Sequence, residues 1–169
     1  MINPLDLFKY QRSLEDKITE KYPDVEEDKE FIDKKFLWFL VELSELANET
    51  KCFKYCSKQK PDDKNVQLEE YADGLHLILG LGISHGFDDE VELSGVDLSL
   101  YKKETVTKQF LFMYHVFMEF SFYRTLHWYQ FIFKSYMALG EMLGFSVAEI
   151  VQSYIEKNKI NHKRQEEGY

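Results

Sequence analysis

Apolar residues recur along this chain three and four positions apart, the period of a helix face, and alternating strand patterns bounded by turn signals are scarce. The pattern predicts an all-α chain. A first helix has Asn3 as its cap and Pro4 in its first turn, carries Leu5, Phe8, Leu14 and Ile18 on one side, and stops at Pro23. A second helix is expected from about Glu27 to about Phe53. "SKQKPDDKN" follows as a loop, and a third helix spans roughly Val66 to His85, with Gly86 ending it. "FDDEVELSGVDLSLYKKE" reads as irregular connection. Two aromatic-rich helices are expected at about 104 to 122 and 124 to 143, and Gly144 separates them from a capping box of Ser146 and Glu149 that starts a last helix. The expected object is a helical bundle with a core of Phe, Tyr and Leu.

Within the apolar second helix, "FLWFLVELSELANET" places Glu42, Glu45 and Glu49 on one stripe, with Trp38 a turn earlier. Phe36, Leu40, Leu43 and Ala47 form a different stripe. A solvated acidic face is the ordinary explanation of such carboxylates, but it usually carries Lys or Arg at i±4. Here the neighbours of Glu42 and Glu45 at that spacing include no cation. The third helix repeats the pattern with Glu70 and Asp73 in "NVQLEEYADGLHLILG". Two antiparallel helices with a carboxylate pair each can surround one cavity with four oxygen donors, the chemistry of Mg²⁺ held together with substrate phosphates. Iron is disfavoured, because di-iron bundles use Glu-x-x-His from two helices and this chain lacks that motif.

Charge narrows the partners. A net charge of −9 argues against a nucleic-acid polymer or an anionic membrane, both of which require clustered Lys and Arg. The N-terminus lacks a signal peptide's basic start and apolar run, and "LHLILGLGI" is too short to span a bilayer, so a cytoplasmic location is expected. Cys52 and Cys56 stand without a second pair and are expected to be packed thiols. Length favours one domain over residues 1–169.

The tail "YIEKNKINHKRQEEGY" departs from this acidity. Lys157, Asn161 and Arg164 share one helix face, and Tyr154, Asn158, Asn161 and Gln165 share an overlapping one. Point charge from Lys, forked donors from Arg and the paired donor and acceptor of Asn or Gln are what phosphate and base edges require. A frayed, solvated end is the plain alternative.

In "ELSELANETKCFK", "LEEYADGLH" and "YIEKNKINHKRQEEGY" the chain resembles the dimeric, all-α dUTP diphosphatase family, related to MazG-type nucleotide pyrophosphatases and unrelated to the trimeric β-barrel dUTPases. The resemblance implies Mg²⁺-dependent hydrolysis of dUTP to dUMP and pyrophosphate, with dUDP left open as a second substrate. It puts Glu42, Glu45, Glu70 and Asp73 on the metal-binding carboxylates and His76 beside the nucleoside. Lys157, Asn158, Asn161, Arg164 and Gln165 fall on phosphate and nucleoside contacts, and Gln11 on a glutamine that reads uracil. Where many members carry a Trp after "CFKY", this chain has Cys56, so the aromatic wall of the base pocket falls to Phe53, Tyr55 or Trp38. Glu45, then Glu49, is the candidate to take a proton from the attacking water.

Two other functions fit parts of the pattern. A broader MazG-type nucleoside triphosphate pyrophosphatase would share the carboxylates and differ in its base pocket, and a helical regulatory protein would use the aromatic surface to bind a partner. The resemblance also implies a homodimer, and the aromatic helices between about 104 and 143 carry more large apolar side chains than one small bundle readily covers.

Overall fold

Side-chain caps start the last four helices of the fold. The computed structural model describes residues 6–93 and 95–168, so the expected Asn3 cap, Pro4 turn and Leu5 lie outside the described residues. Six α-helices follow in order: α1 (Leu7–Lys21), α2 (Phe31–Thr50), α3 (Lys64–Ser84), α4 (Val106–Tyr123), α5 (Leu126–Met142) and α6 (Val147–Glu167). No strand occurs among the described residues. Asp63, Thr105 and Thr125 each accept a backbone N–H at the start of α3, α4 and α5, and Ser146 with Glu149 forms the expected capping box on α6. Gly86 and Gly144 take the left-handed conformation that ends α3 and α5.

The second helix is shorter than its sequence pattern at both ends. Pro23–Glu27 forms a 3-10 turn and Asp28 is extended, so α2 starts at Phe31, and Lys51 adopts φ 54° and closes it before Phe53. Its buried stripe is Phe36, Phe39, Leu43, Leu46 and Thr50, whereas Leu40 and Ala47 are only half-buried. Glu42, Glu45 and Glu49 each precede a buried position by one residue, so the acidic stripe runs along the flank of the core stripe.

The bundle centres on α3, which packs against α1, α2, α5 and α6. Close approach of α3 and α5 depends on glycine. A Cβ at Gly74 would overlap the Tyr136 hydroxyl and one at Gly82 the Tyr129 hydroxyl. Those hydroxyls donate across the interface to the Tyr71 carbonyl (2.8 Å) and the Ile78 carbonyl (3.0 Å), while the Tyr71 hydroxyl donates back to the Tyr136 carbonyl (2.9 Å). Buried phenols are thus satisfied by helix carbonyls, as burial requires. Phe36, Phe39, Phe117 and Phe120 pack edge-on or tilted beside them to join α2 and α4.

Most of the aromatic content of α5 is spent on this core: Tyr129, Phe133 and Tyr136 are buried. What remains outside is a stripe on α4, with Leu111 66% and Phe122 77% exposed alongside Met118. Leu37 and Val41 of α2 are exposed as well, next to a seam where the Ser44 and Tyr114 hydroxyls are 2.7 Å apart. Cys52 is half-buried against the core, but Cys56 is exposed, so only the first thiol is packed. Among the described residues no helix is long and apolar enough to cross a membrane.

Candidate functional site

A cavity of about 640 Å³ opens between α1, α2, α3 and α6. Each helix contributes a distinct chemistry. From α1 come Gln11 and Glu15, from α2 Lys35, Trp38 and Glu42, from α3 Asp73, His76 and Gly80, and from α6 Lys157, Asn161, Arg164 and Gln165. Two larger surface hollows, one along α1 and one between α3 and α6, have no such mixture of acid, amide and aromatic groups.

Three of the four expected carboxylates meet. Oxygen atoms of Glu42, Glu45 and Glu70 lie within 4.8 Å of one another. Crowding is visible in their acidity: burial first, then the charges of Asp73, Glu45 and Glu42, pushes Glu70 up to about 7. Glu42 is also raised by burial, against the pull of the Trp38 indole N–H, which donates to it at 2.6 Å. Three hard oxygen donors that repel one another suit a divalent cation, and the residues present therefore fit Mg²⁺.

Asp73 and Glu49 stand apart from that trio. Lys157 reaches over from α6 to within 2.6 Å of the Asp73 carboxylate. Burial raises Asp73 above its ordinary value, while the bond to Lys157 pulls against it. Burial alone would depress the Lys157 ammonium, but the hydrogen bonds and charges of Asp73 and Glu69 together outweigh it and hold it high. Glu49 faces Asn48 at 3.1 Å and Lys51 at 3.8 Å, at the end of α2.

At the opposite end, Gln11 is 3% exposed and held on three sides. Its Oε1 accepts from His76 Nδ1 at 2.8 Å and from the Tyr154 hydroxyl at 2.7 Å, and its Nε2 donates to Glu15 at 2.8 Å. The His76 ring stacks on Tyr154 with centroids 4.0 Å apart, and burial pushes the imidazole down to about 3, so it is neutral at ordinary pH. His76 Nε2 and Gln165 Oε1 are buried with no hydrogen-bond partner. In a cavity wall, such atoms are suited to a polar ligand.

Trp38 is the aromatic residue of the three candidates that lines this cavity. Phe53 is 48% exposed on the turn after α2, under the Lys54 ammonium, and Tyr55 is almost wholly exposed; neither lines it. Asn158 also turns away: it is buried and donates to the Tyr10 carbonyl at 3.4 Å, because α6 docks there on α1. Among the described residues the tail is helical. α6 continues to Glu167, pinned to α1 by Lys17 on Glu166 at 2.6 Å and by Lys21 on the Gln165 carbonyl. Glu15 and Lys35 are site residues that the sequence pattern did not single out. The i,i+4 spacing of Gln11 and Glu15 was the available signal.

Residues 3–169 match the family model described as dUTPase. No curated protein matches the chain.

Proposed function

The chain belongs to the dUTPase family, and on that premise we propose that it hydrolyses dUTP to dUMP and pyrophosphate with a divalent cation, Mg²⁺, in the cavity between α1, α2, α3 and α6. Hydrolysis of dUTP follows from the family; the cation, the site residues and the mechanism are the proposal. The observation that carries it is the convergence of the Glu42, Glu45 and Glu70 oxygens beside a cavity that also holds Lys157 and Arg164. Carboxylates alone would repel a triphosphate.

Glu42, Glu45 and Glu70 would hold the cation, with Asp73 joining once Lys157 turns to the phosphates. When bound, the cation neutralises phosphate oxygens and lowers the pKa of water. Lys157 supplies a point charge and Arg164 a forked donor to the triphosphate. Glu45 is exposed at the edge of the trio, so one of its oxygens can face the attacking water and take its proton. Trp38 walls the base, and Gln11, His76, Asn161 and Gln165 supply the polar contacts of the nucleoside.

The active form is a homodimer, built on the exposed stripe of Leu111, Met118 and Phe122 together with Leu37 and Val41. Pyrophosphate release from dUTP is the direct test. Turnover should require Mg²⁺, vanish in EDTA and return on adding the metal. Full activity in EDTA, or equal turnover of dCTP and dTTP, would overturn the reading.

A further inference from the structure

We propose that Glu15 is a positioning residue for nucleoside recognition, fixing the orientation of the Gln11 amide and, through it, the tautomer of His76, so that the buried end of the cavity offers the ligand a hydrogen-bond acceptor. The inference rests on the cavity being the dUTP site.

Lys35 Nζ donates to one Glu15 oxygen at 2.8 Å and to the Ser84 hydroxyl at 3.0 Å. The other Glu15 oxygen faces Gln11 at 2.8 Å. A carboxylate paired with an ammonium group accepts hydrogen bonds and donates none, so the amide must turn its NH₂ towards Glu15. Its carbonyl oxygen is then left for His76 Nδ1 and the Tyr154 hydroxyl. A carbonyl only accepts, so His76 carries its proton on Nδ1 and keeps a lone pair on Nε2. That Nε2 is buried, without a hydrogen-bond partner, on a residue that lines the cavity. Its low basicity keeps the lone pair free of a second proton.

The ligand group that fits is therefore an N–H or O–H donor. On a deoxyuridine nucleotide it is the imide N–H of the base or the sugar hydroxyl. Cytosine has a lone pair where uracil has the imide N–H, and two facing lone pairs repel. Gly80 belongs to the same device. A Cβ there would come within 2.5 Å of the Glu15 oxygen that holds Gln11, so a side chain would displace the carboxylate.

The test uses ¹⁵N–¹H correlation spectra of the His76 ring in nucleotide-free protein, together with kcat/KM for dUTP, dCTP and 2′,3′-dideoxy-UTP. Wild type should show the Nδ1–H tautomer alone. Glu15→Gln offers Gln11 a donor as well as an acceptor, and Gly80→Ala, a helix-favouring change whose methyl overlaps the flexible end of Glu15 and makes only ordinary contact with Gln11 Nε2, moves the carboxylate. Both should mix the two tautomers and lower the preference for dUTP over dCTP or over the dideoxy analogue by at least about tenfold. The ratio that falls names the donor, base or sugar. His76 unmoved in both variants, or both ratios unmoved, would overturn the proposal. The spectra need no substrate, so failure of wild type to hydrolyse dUTP is told apart from failure of this inference.

Discussion

Lys157 Nζ lies 2.6 Å from the Asp73 carboxylate and 3.3 Å from that of Glu69, tying the last helix to the acidic face of α3. In a cluster where Glu42, Glu70 and Asp73 all bind protons more tightly than usual, this ammonium is the cation at hand. Nucleotide and metal would divide the pair: the metal takes the carboxylate, the triphosphate the ammonium.

Lys157→Met keeps the aliphatic stem and deletes the charge. Loss of one charge-assisted contact, about 1.5 to 3 kcal/mol, should raise KM for dUTP by roughly ten- to hundredfold with a smaller effect on kcat. Steady-state kinetics at saturating Mg²⁺ measure the split. An unchanged KM would remove Lys157 from the triphosphate site.

Glu45→Ala should abolish turnover without lowering the melting temperature of metal-free protein, and a rise is expected, because the substitution relieves repulsion on Glu42 and Glu70. Thermal melts and pyrophosphate release on the same preparation decide it. Near-normal activity would exclude Glu45 from both roles assigned to it.

The raised pKa of Glu70 makes metal-free stability depend on pH. Its value is 4.5 unfolded and about 7 folded, so between those limits the folded state binds more protons and stability falls as pH rises. His76 acts with the opposite sign: its folded value of about 3 lies below 6.5, so its contribution is lost as pH falls below about 6.5. Melts of wild type against Glu70→Gln isolate the first effect. The difference between the two proteins should grow from pH 4.5 to 7 and shrink when Mg²⁺ is added, since a cation favours the ionised cluster. A difference that is flat with pH would contradict the crowding.

Phe122→Arg, on the exposed stripe of α4, should convert a dimer to monomer in sedimentation at micromolar concentration while leaving the helical content unchanged. A wild-type protein that is already monomeric there would overturn the dimer.

Gly82→Ala, remote from the cavity, tests the packing of α3 on α5. The added methyl meets the Tyr129 ring, which is buried and cannot withdraw, so urea denaturation should show a loss of about 1 to 3 kcal/mol.

Local pattern alone determined much of this protein. The all-α class, the three-four period that put Glu42, Glu45 and Glu70 on facing stripes, the Ser146 capping box and the terminating glycines are all consequences of residue type and helix spacing. Spacing within a helix fixes which side chains share a face. It does not fix what lies opposite. That Lys157 meets Asp73, that Asn158 is spent on the Tyr10 carbonyl while Asn161 reaches the cavity, and that Phe53 swings away when Lys51 turns left-handed were decided by how α6 and α2 dock. The chain from Lys35 through Glu15 and Gln11 to His76 joins three helices, so no window of sequence contains it. A core of Phe, Tyr and Leu was legible, but not which α5 aromatics enter it, because the Gly74 and Gly82 contacts on α3 admit Tyr136 and Tyr129 to the interior. Burial belongs to pairs of surfaces, and one strand of sequence specifies only its own half of each pair.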